Sequence, residues 1–281
     1  MLIAQISDIH IGFERGNPDE QNMQRLRAVL ARIGASPNRP DALLLTGDLT
    51  ERGDAKSYAR LAAAVAECPC PVWPMVGNHD AREPLLSAFP HTPSADGFVH
   101  YALEFGNVRL IVLDTLEPGR HGGAFCEARA AWLSAELAAH PERPTLIAMH
   151  HPPFESGIDW IDTDEDQPWI GRFAQAIAGH RQVVGIITGH LHRTIVTGWN
   201  GVALTVCPST APAVTLDFTP IDPQAPDGRP MIAEELPAYA LHKWDGRRLV
   251  THFEAAGENR VLARWDEGWD VVRKIAAEKA R

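Results

Sequence analysis

Five short apolar runs set the limits on how this chain can fold. Leu2–Ser7, Ala42–Thr46, Val72–Val76, Leu146–Met149 and Val183–Thr188 are dominated by Leu, Ile, Val, Ala and Met. Runs this short with no polar alternation fit strands buried on both faces. Most are separated by stretches of helical period. Met23, Leu26, Val29, Leu30 and Ile33 mark a helix within 19–35, and Tyr58, Leu61, Ala62 and Val65 mark a second. Trp132, Leu133 and Leu137 mark a third over 127–139, and Ile170, Phe173, Ala174 and Ile177 a fourth. The remaining strands come as hairpins. Phe98–Phe105 and Val108–Leu113 flank Gly106-Asn107; Thr194–Trp199 and Val202–Val206 flank Asn200-Gly201; Tyr239–Trp244 and Arg248–Phe253 flank Asp245-Gly246. The last two pairs are strong signals for two-residue turns. Alternating βα units followed by hairpins predict an α/β fold of two mixed sheets with helices on the outer faces. Between the last two hairpins, residues 208–237 are rich in Pro and Asp and read as an irregular excursion. Val261, Leu262, Trp265, Trp269, Val272 and Ile275 predict a closing helix over 259–275 that packs on the body.

The chain of 281 residues is long enough for one large α/β domain, or one with a small appendage. Its formal net charge of -10 disfavours nucleic-acid polymers and anionic membranes as partners. An anionic substrate would then need a local positive centre. The opening MLIAQISD has neither a basic segment nor a long apolar one, so no signal peptide is expected. No apolar run approaches the roughly 18 residues of a membrane span. Cys68, Cys70, Cys126 and Cys207 form no disulfide framework and read as reduced thiols, which fits a cytoplasmic protein.

The residues just beyond each run are more telling than the run itself. The strand ends read Ser7-Asp8-Ile9-His10, Thr46-Gly47-Asp48, Val76-Gly77-Asn78-His79-Asp80, Met149-His150-His151 and Thr188-Gly189-His190-Leu191-His192. Gly-Asn alone is turn chemistry, and a lone D-x-H is usually a satisfied loop. Five strands ending alike are a converging constellation. Carboxylate oxygen and neutral imidazole nitrogen suit borderline divalent metals such as Mn, Fe, Co and Zn. Calcium would ask for oxygen alone, and a structural zinc for cysteine. The D-x-H and H-x-H spacings put alternate side chains on one side of an extended segment. Gly47, Gly77 and Gly189 are expected to let the backbone turn sharply beneath them. Seven or eight ligands are too many for one ion with open positions, whereas two ions sharing one carboxylate fit the count.

The set D-x-H, G-D, G-N-H-D, H and G-H-x-H resembles the signature of the calcineurin-like metallophosphoesterases, over residues 1 to about 205. Ile6–His10, Gly77–Asp80, His150–Pro153 and Gly189–His192 look most like the bacterial class III cyclic nucleotide phosphodiesterases and related glycerophosphodiesterases. The resemblance implies a four-layer α/β/β/α sandwich. It implies that Asp8, His10 and His192 bind one metal, that Asn78, His150 and His190 bind the other, and that Asp48 bridges. His79 is then the catalytic group facing the substrate phosphate, with Asn78 beside it. His151 holds a neighbour in place, and Asp80 orients a backbone or His79. Arg52, in GDLTERG, stands where related protein phosphatases carry a phosphate-binding Arg, although from the residues a bare surface Arg is the favoured reading. The implied reaction is metal-dependent hydrolysis of a small phosphodiester, either a 3′,5′-cyclic nucleotide such as cyclic AMP or a glycerophosphodiester. A phosphomonoesterase, nucleotide phosphatase or protein phosphatase of the same fold is the alternative, with a non-enzymatic scaffold behind it. Residues 1–205 would be the catalytic core. Residues 206–281 would be a cap or homo-oligomer segment, whose hairpin and helix complete the same domain. Phe218, Met231 and Tyr239 are its candidate apolar surface, and 206–240 is the candidate selector of substrate.

Overall fold

The computed structural model describes residues 1–258, 260–265 and 270–280. In chain order the elements are β1 (Leu2–Ile6), α1 (Gln21–Ala35), β2 (Ala42–Thr46), α2 (Ala55–Val65), β3 (Val72–Met75), α3 (Arg82–Ala88), β4 (Tyr101–Phe105) and β5 (Val108–Leu113). Then come α4 (Glu127–Ala139), β6 (Thr145–Met149), α5 (Pro168–Ile177), β7 (Val183–Thr188), β8 (Ile195–Trp199), β9 (Val202–Val206), β10 (Ala213–Val214), β11 (Ile232–Ala233), β12 (Ala238–Trp244), β13 (Leu249–Ala255) and α6 (Asp270–Lys279).

The runs that lack polar alternation are the buried parallel strands. β1, β2 and β3 lie parallel in that order, and the β12–β13 hairpin adds antiparallel to the free side of β1. β5, β6, β7 and β9 form a second parallel set, with β4 and β8 antiparallel at its two edges. The two-residue period of a strand then sorts side chains between layers. Leu110 and Val112 of β5, with Leu146 and Ala148 of β6, join one core with the first sheet, α1 and α2. Ile111, Leu113, Ile147 and Met149 turn the other way, onto Leu133 and Leu137 of α4 and Phe173 of α5. Two sheets face each other with helices outside, which is the four-layer arrangement.

Local chemistry explains the ends of the elements. Asp54 accepts from the amides of Lys56 and Ser57 and so caps α2, an interaction worth about 1 kcal/mol. Pro168 opens α5 at a position whose amide has no partner in a helix. Asn200 and Gly201 both have positive φ, at 46° and 78°, as a tight two-residue hairpin requires. The last hairpin differs from expectation. Trp244 pairs with Leu249, so its loop has four residues, and the Asp245 carboxylate holds it by accepting from the amides of Arg247 and Arg248.

Three further expectations are corrected. The closing helix covers Asp270–Lys279, and residues 260–265 before it carry no regular structure; Trp269 lies outside the described residues. α6 buries none of its side chains, and Leu262 and Trp265 are 80 % and 76 % exposed, so this segment does not pack on the body. Tyr239 is buried in β12 and supplies no surface. The excursion is less irregular than its composition suggests, because β10 and β11 pair across it. No helix among the described residues is long and apolar enough to cross a membrane.

Candidate metal centre and its cavity

Parallel strands within a sheet end on the same side, and here both sheets end at one rim. Ser7 bridges to Ser209, the amides of Thr210 and Ala211 donate to the carbonyls of Ser7 and Asp8, and Gln5 Nε2 donates to the Thr188 carbonyl at 3.0 Å. Asp8, Asp48, Asn78 and His79 therefore come from the first sheet and His150, His190 and His192 from the second, and they meet. Groups of ligand atoms lying within 4.8 Å of one another include Asp8, His10 and His192; Asp8, Asp48 and His150; and His10, Asp48 and His79.

The backbone is bent to achieve this. Asp8, His10, Asp48, His190 and His192 all lie in the left-handed region, with φ of 52°, 53°, 48°, 73° and 52°. Only two other non-glycine residues among those described do so. That conformation is costly for a residue with a Cβ and persists where surrounding structure enforces it. The glycines serve a second purpose that the turn argument missed. Gly47 has φ of +88°, but Gly77 and Gly189 have no positive φ. A Cβ on Gly77 would lie 2.3 Å from Asp48 Oδ1, and one on Gly189 would lie 2.0 Å from Ser7 Oγ. They are glycine because other groups occupy the space.

Hydrogen bonds decide which imidazole nitrogens face the centre. His150 Nδ1 donates to the Thr46 carbonyl at 2.8 Å, and His192 Nδ1 donates to the Pro212 carbonyl at 2.9 Å. His10 Nδ1 is held by Glu51 Oε2 at 2.9 Å. In each ring Nε2 is the nitrogen left for the centre. His150 Nε2 lies 3.3 Å from Asp48 Oδ2, and His192 Nε2 lies 3.5 Å from Asp8 Oδ1. His150 Nε2 and Asn78 Oδ1 are buried without any hydrogen-bond partner. Buried polar atoms are rarely left so, and an amide oxygen and an imidazole nitrogen beside carboxylates of the same cluster are donors that a borderline metal takes. The residues present fit two such ions.

The carboxylates and imidazoles also set one another's charges. Burial alone would depress His150, but Asp48 beside it holds its proton and lifts it to about 9. Burial works against ionisation of Asp48, yet His150 and then His10 hold its carboxyl well below the usual range. Burial, with His150 nearby, pushes His190 down to about 3 and keeps it neutral.

The supporting residues are equally specific. Both nitrogens of His151 are engaged: Nε2 donates to the His121 carbonyl at 3.1 Å, and Nδ1 faces the Thr115 hydroxyl at 2.7 Å. His151 lies within metal-binding distance of His150 and His190. With neither ring nitrogen free, it braces the loop that carries His121. Asp80 accepts from the amides of Leu49, Thr50 and Gly77 and from the Tyr58 hydroxyl at 2.7 Å, so it orients backbone rather than the His79 ring. The His79 ring is set by the Glu51 carbonyl, 3.1 Å from Nδ1, and its amide donates to Asp48 Oδ1 at 2.9 Å.

Arg52 does not behave as a phosphate ligand. Its guanidinium donates to the Gly12 carbonyl at 2.5 Å, outside the cavity above the centre. That cavity measures about 830 Å³. His10, Asp48, Asn78, His79, His190 and His192 line its floor. Its walls come from three loops, with Phe13, His121 and Trp160 among them, and from Ile232 of β11. Sequence reasoning missed Glu51, His121, Phe13 and Trp160. Glu51 alone had a usable signal, three residues after Asp48 in GDLTE.

With this geometry in hand, the relatives become informative. Residues 1–194 match the calcineurin-like phosphoesterase family, and the chain belongs to it. It is 34% identical over 237 residues to a probable cyclic nucleotide phosphodiesterase of Rhodopseudomonas palustris, covering 82% of each chain. It is 28% identical to a probable glycerophosphodiester phosphodiesterase of Arcobacter nitrofigilis, over 92% of this chain and 94% of that one. A dimetal phosphatase of Danio rerio superposes with a TM-score of 0.67 at 16% identity, over 92% of this chain and 97% of the other, and so shares the fold.

Proposed function

We propose that this chain hydrolyses small phosphodiesters, cyclic nucleotides or glycerophosphodiesters, at the strand-end cluster. The observation that carries this reading is the orientation of the histidines. His10, His150 and His192 are each fixed by a partner on Nδ1 so that Nε2 faces Asp8 and Asp48. Outer partners of this kind fix the tautomer and raise the basicity of ligating imidazoles. In this reading Asp8, His10 and His192 hold one cation, Asn78, His150 and His190 hold a second, and Asp48 is shared. When bound, the two ions supply an activated water near neutral pH and neutralise charge on the phosphoryl oxygens. The chain's own residues do the rest. His79, with Nδ1–H held by the Glu51 carbonyl, takes a second proton at Nε2 and can give it to the leaving oxygen. Asn78 stands beside it, where its side-chain nitrogen can meet a phosphoryl oxygen. The two bacterial relatives, named as phosphodiesterases, support a diester over a monoester. Free cysteines support a reducing compartment such as the cytoplasm.

Turnover of bis(p-nitrophenyl) phosphate and of p-nitrophenyl phosphate, measured with added Mn²⁺ and with metal content determined on the same sample, tests the proposal. Preference for the diester is expected. Two ions per chain with no turnover of either compound would overturn it, and preference for the monoester would assign a phosphatase.

A further inference from the structure

Two large rings stand exposed at the mouth of the cavity, Phe13 at 61 % and Trp160 at 37 %. Each comes from a different sheet. Phe13 follows β1, Trp160 follows β6, and both line the cavity. Neither is on a slack loop. The amides flanking Phe13, those of Gly12 and Glu14, both donate to the Glu20 carboxylate, at 2.8 and 3.0 Å. Glu20 is fully buried and paired with Arg60 at 2.8 Å. Arg52 ties the same turn down from the Gly12 carbonyl. The turn that displays Trp160 is built on the same plan. Asp162 accepts from the amides of Ser156 and Gly157, at 2.8 and 2.7 Å, and from the Ser156 hydroxyl at 2.5 Å. Ile158 anchors that turn in the interior, and Asp159 accepts from the Ile221 amide of the excursion at 2.8 Å.

An exposed aromatic side chain gains little in an isolated protein. Held out by a braced turn over a reactive floor, it offers preorganised apolar area that a ligand can cover without ordering a loop. We propose that Phe13 and Trp160 are specificity-determining residues that receive a flat heteroaromatic group, the nucleobase of a cyclic nucleotide, while its phosphodiester rests on the floor. This rests on the hydrolytic reading above and narrows it. The cavity is large enough for a nucleotide, and a glycerol-linked diester has no π face for either ring. The excursion contributes to the wall through Val214 and Ile232, but it carries neither ring.

The test compares kcat/KM for cyclic AMP with that for glycerophosphoethanolamine in the wild type, Phe13→Ala, Trp160→Ala and Trp160→Phe. Both positions are exposed, so circular dichroism should show the fold kept. The ratio should fall about tenfold in each alanine variant, the order expected for loss of one base–aromatic contact, and Trp160→Phe should recover most of it. Inhibition by AMP should weaken by a similar factor in the alanine variants, while inhibition by inorganic phosphate should not. An unchanged ratio in both alanine variants, or equal loss on both substrates, would overturn the assignment. So would a wild type that cleaves glycerophosphoethanolamine but not cyclic AMP, and the hydrolytic reading would then survive. No turnover of any diester, bis(p-nitrophenyl) phosphate included, would overturn both.

Discussion

In the strand-end cluster at and beneath the floor of the cavity, five residues hold left-handed backbone, and His10, His150 and His192 each have one ring nitrogen tied to a protein oxygen. On its rim Phe13 and Trp160 stand in solvent, and only the turns beneath them are tied. The floor fixes the reacting side chains themselves, whereas the rim fixes backbone and leaves the side chain bare. Reaction chemistry needs donor atoms within a few tenths of an ångström, so strain is tolerated there. Selectivity needs surface, so bracing lies one layer below it. If this contrast holds, substitutions on the floor should change metal content and rate, and substitutions on the rim should change which substrate is preferred.

The largest effect should come from Asp48→Ala. With the shared ligand gone, metal and activity should disappear together, by at least about 10³-fold in rate, more than loss of a single electrostatic donor. Thermal unfolding should still show a folded chain, since Asp48 lies beyond the end of β2. Near-normal metal content in this variant would sink its bridging role. His79→Ala should keep both ions and lose about 10²- to 10⁴-fold on a poor alkoxide leaving group, with a smaller loss when p-nitrophenolate leaves. Equal losses would reassign His79 to charge stabilisation, and loss of an ion would make it a ligand.

Glu51→Ala probes the boundary between the regions, because Glu51 lines the cavity yet acts through His10. Metal affinity or activity should fall about 10- to 100-fold, as for other outer partners of ligating histidines. An unchanged metal titration would confine Glu51 to the wall.

Below the floor, His242 is fully buried, with Nε2 2.7 Å from Gln5 Oε1 and Nδ1 2.9 Å from Thr251 Oγ1. Burial pushes it down to about 3. The folded chain keeps this ring neutral while the unfolded chain protonates it near the ordinary 6.5. Its contribution is therefore present above about pH 6.5 and is lost as pH falls toward 3, at up to about 1.4 kcal/mol per pH unit. Urea midpoints of His242→Leu should be lower at neutral pH and should fall less steeply in this window. Parallel pH profiles for variant and wild type would remove His242 from the acid response. The smallest effect belongs to the C-terminus. α6 buries nothing, so a chain ending at residue 269 should unfold within about 1 °C of the full chain. A drop of several degrees would mean that the segment is covered in solution, for instance by a second copy.

The floor was legible in sequence because its residues contradict their surroundings. An Asp, Asn or His directly after a fully apolar run has no packing reason to be there, and five such breaks cannot be coincidental turns. The rim was not legible, for the converse reason. Phe13 and Trp160 are apolar residues in loops without period, and what displays them is a pairing of carboxylates with amides, Glu20 with Gly12 and Glu14, and Asp162 with Ser156 and Gly157, which no spacing announces. Arg52 is ambiguous in sequence for a related reason: the same side chain can reach a phosphate or a carbonyl, and here it donates to the Gly12 carbonyl. The closing helix shows the limit of periodicity, which reports that a helix has an apolar face but not what covers it.

The meeting of two sheets at one rim also orders events while the chain is being made. Asp8, Asp48 and Asn78 leave the ribosome early, but His150 follows Asn78 by 72 positions and His192 by 114. The first sheet is itself incomplete until β12 arrives to pair with β1, beyond residue 237. A nascent chain thus carries Asp8, His10 and Asp48 well before the histidines of the second sheet are made, and capture of stray cations at this stage would be weak because the donor set is incomplete. The full set of nitrogen donors exists only once His192 is out, about two thirds of the way along the chain, so any selection that needs all of them would come late.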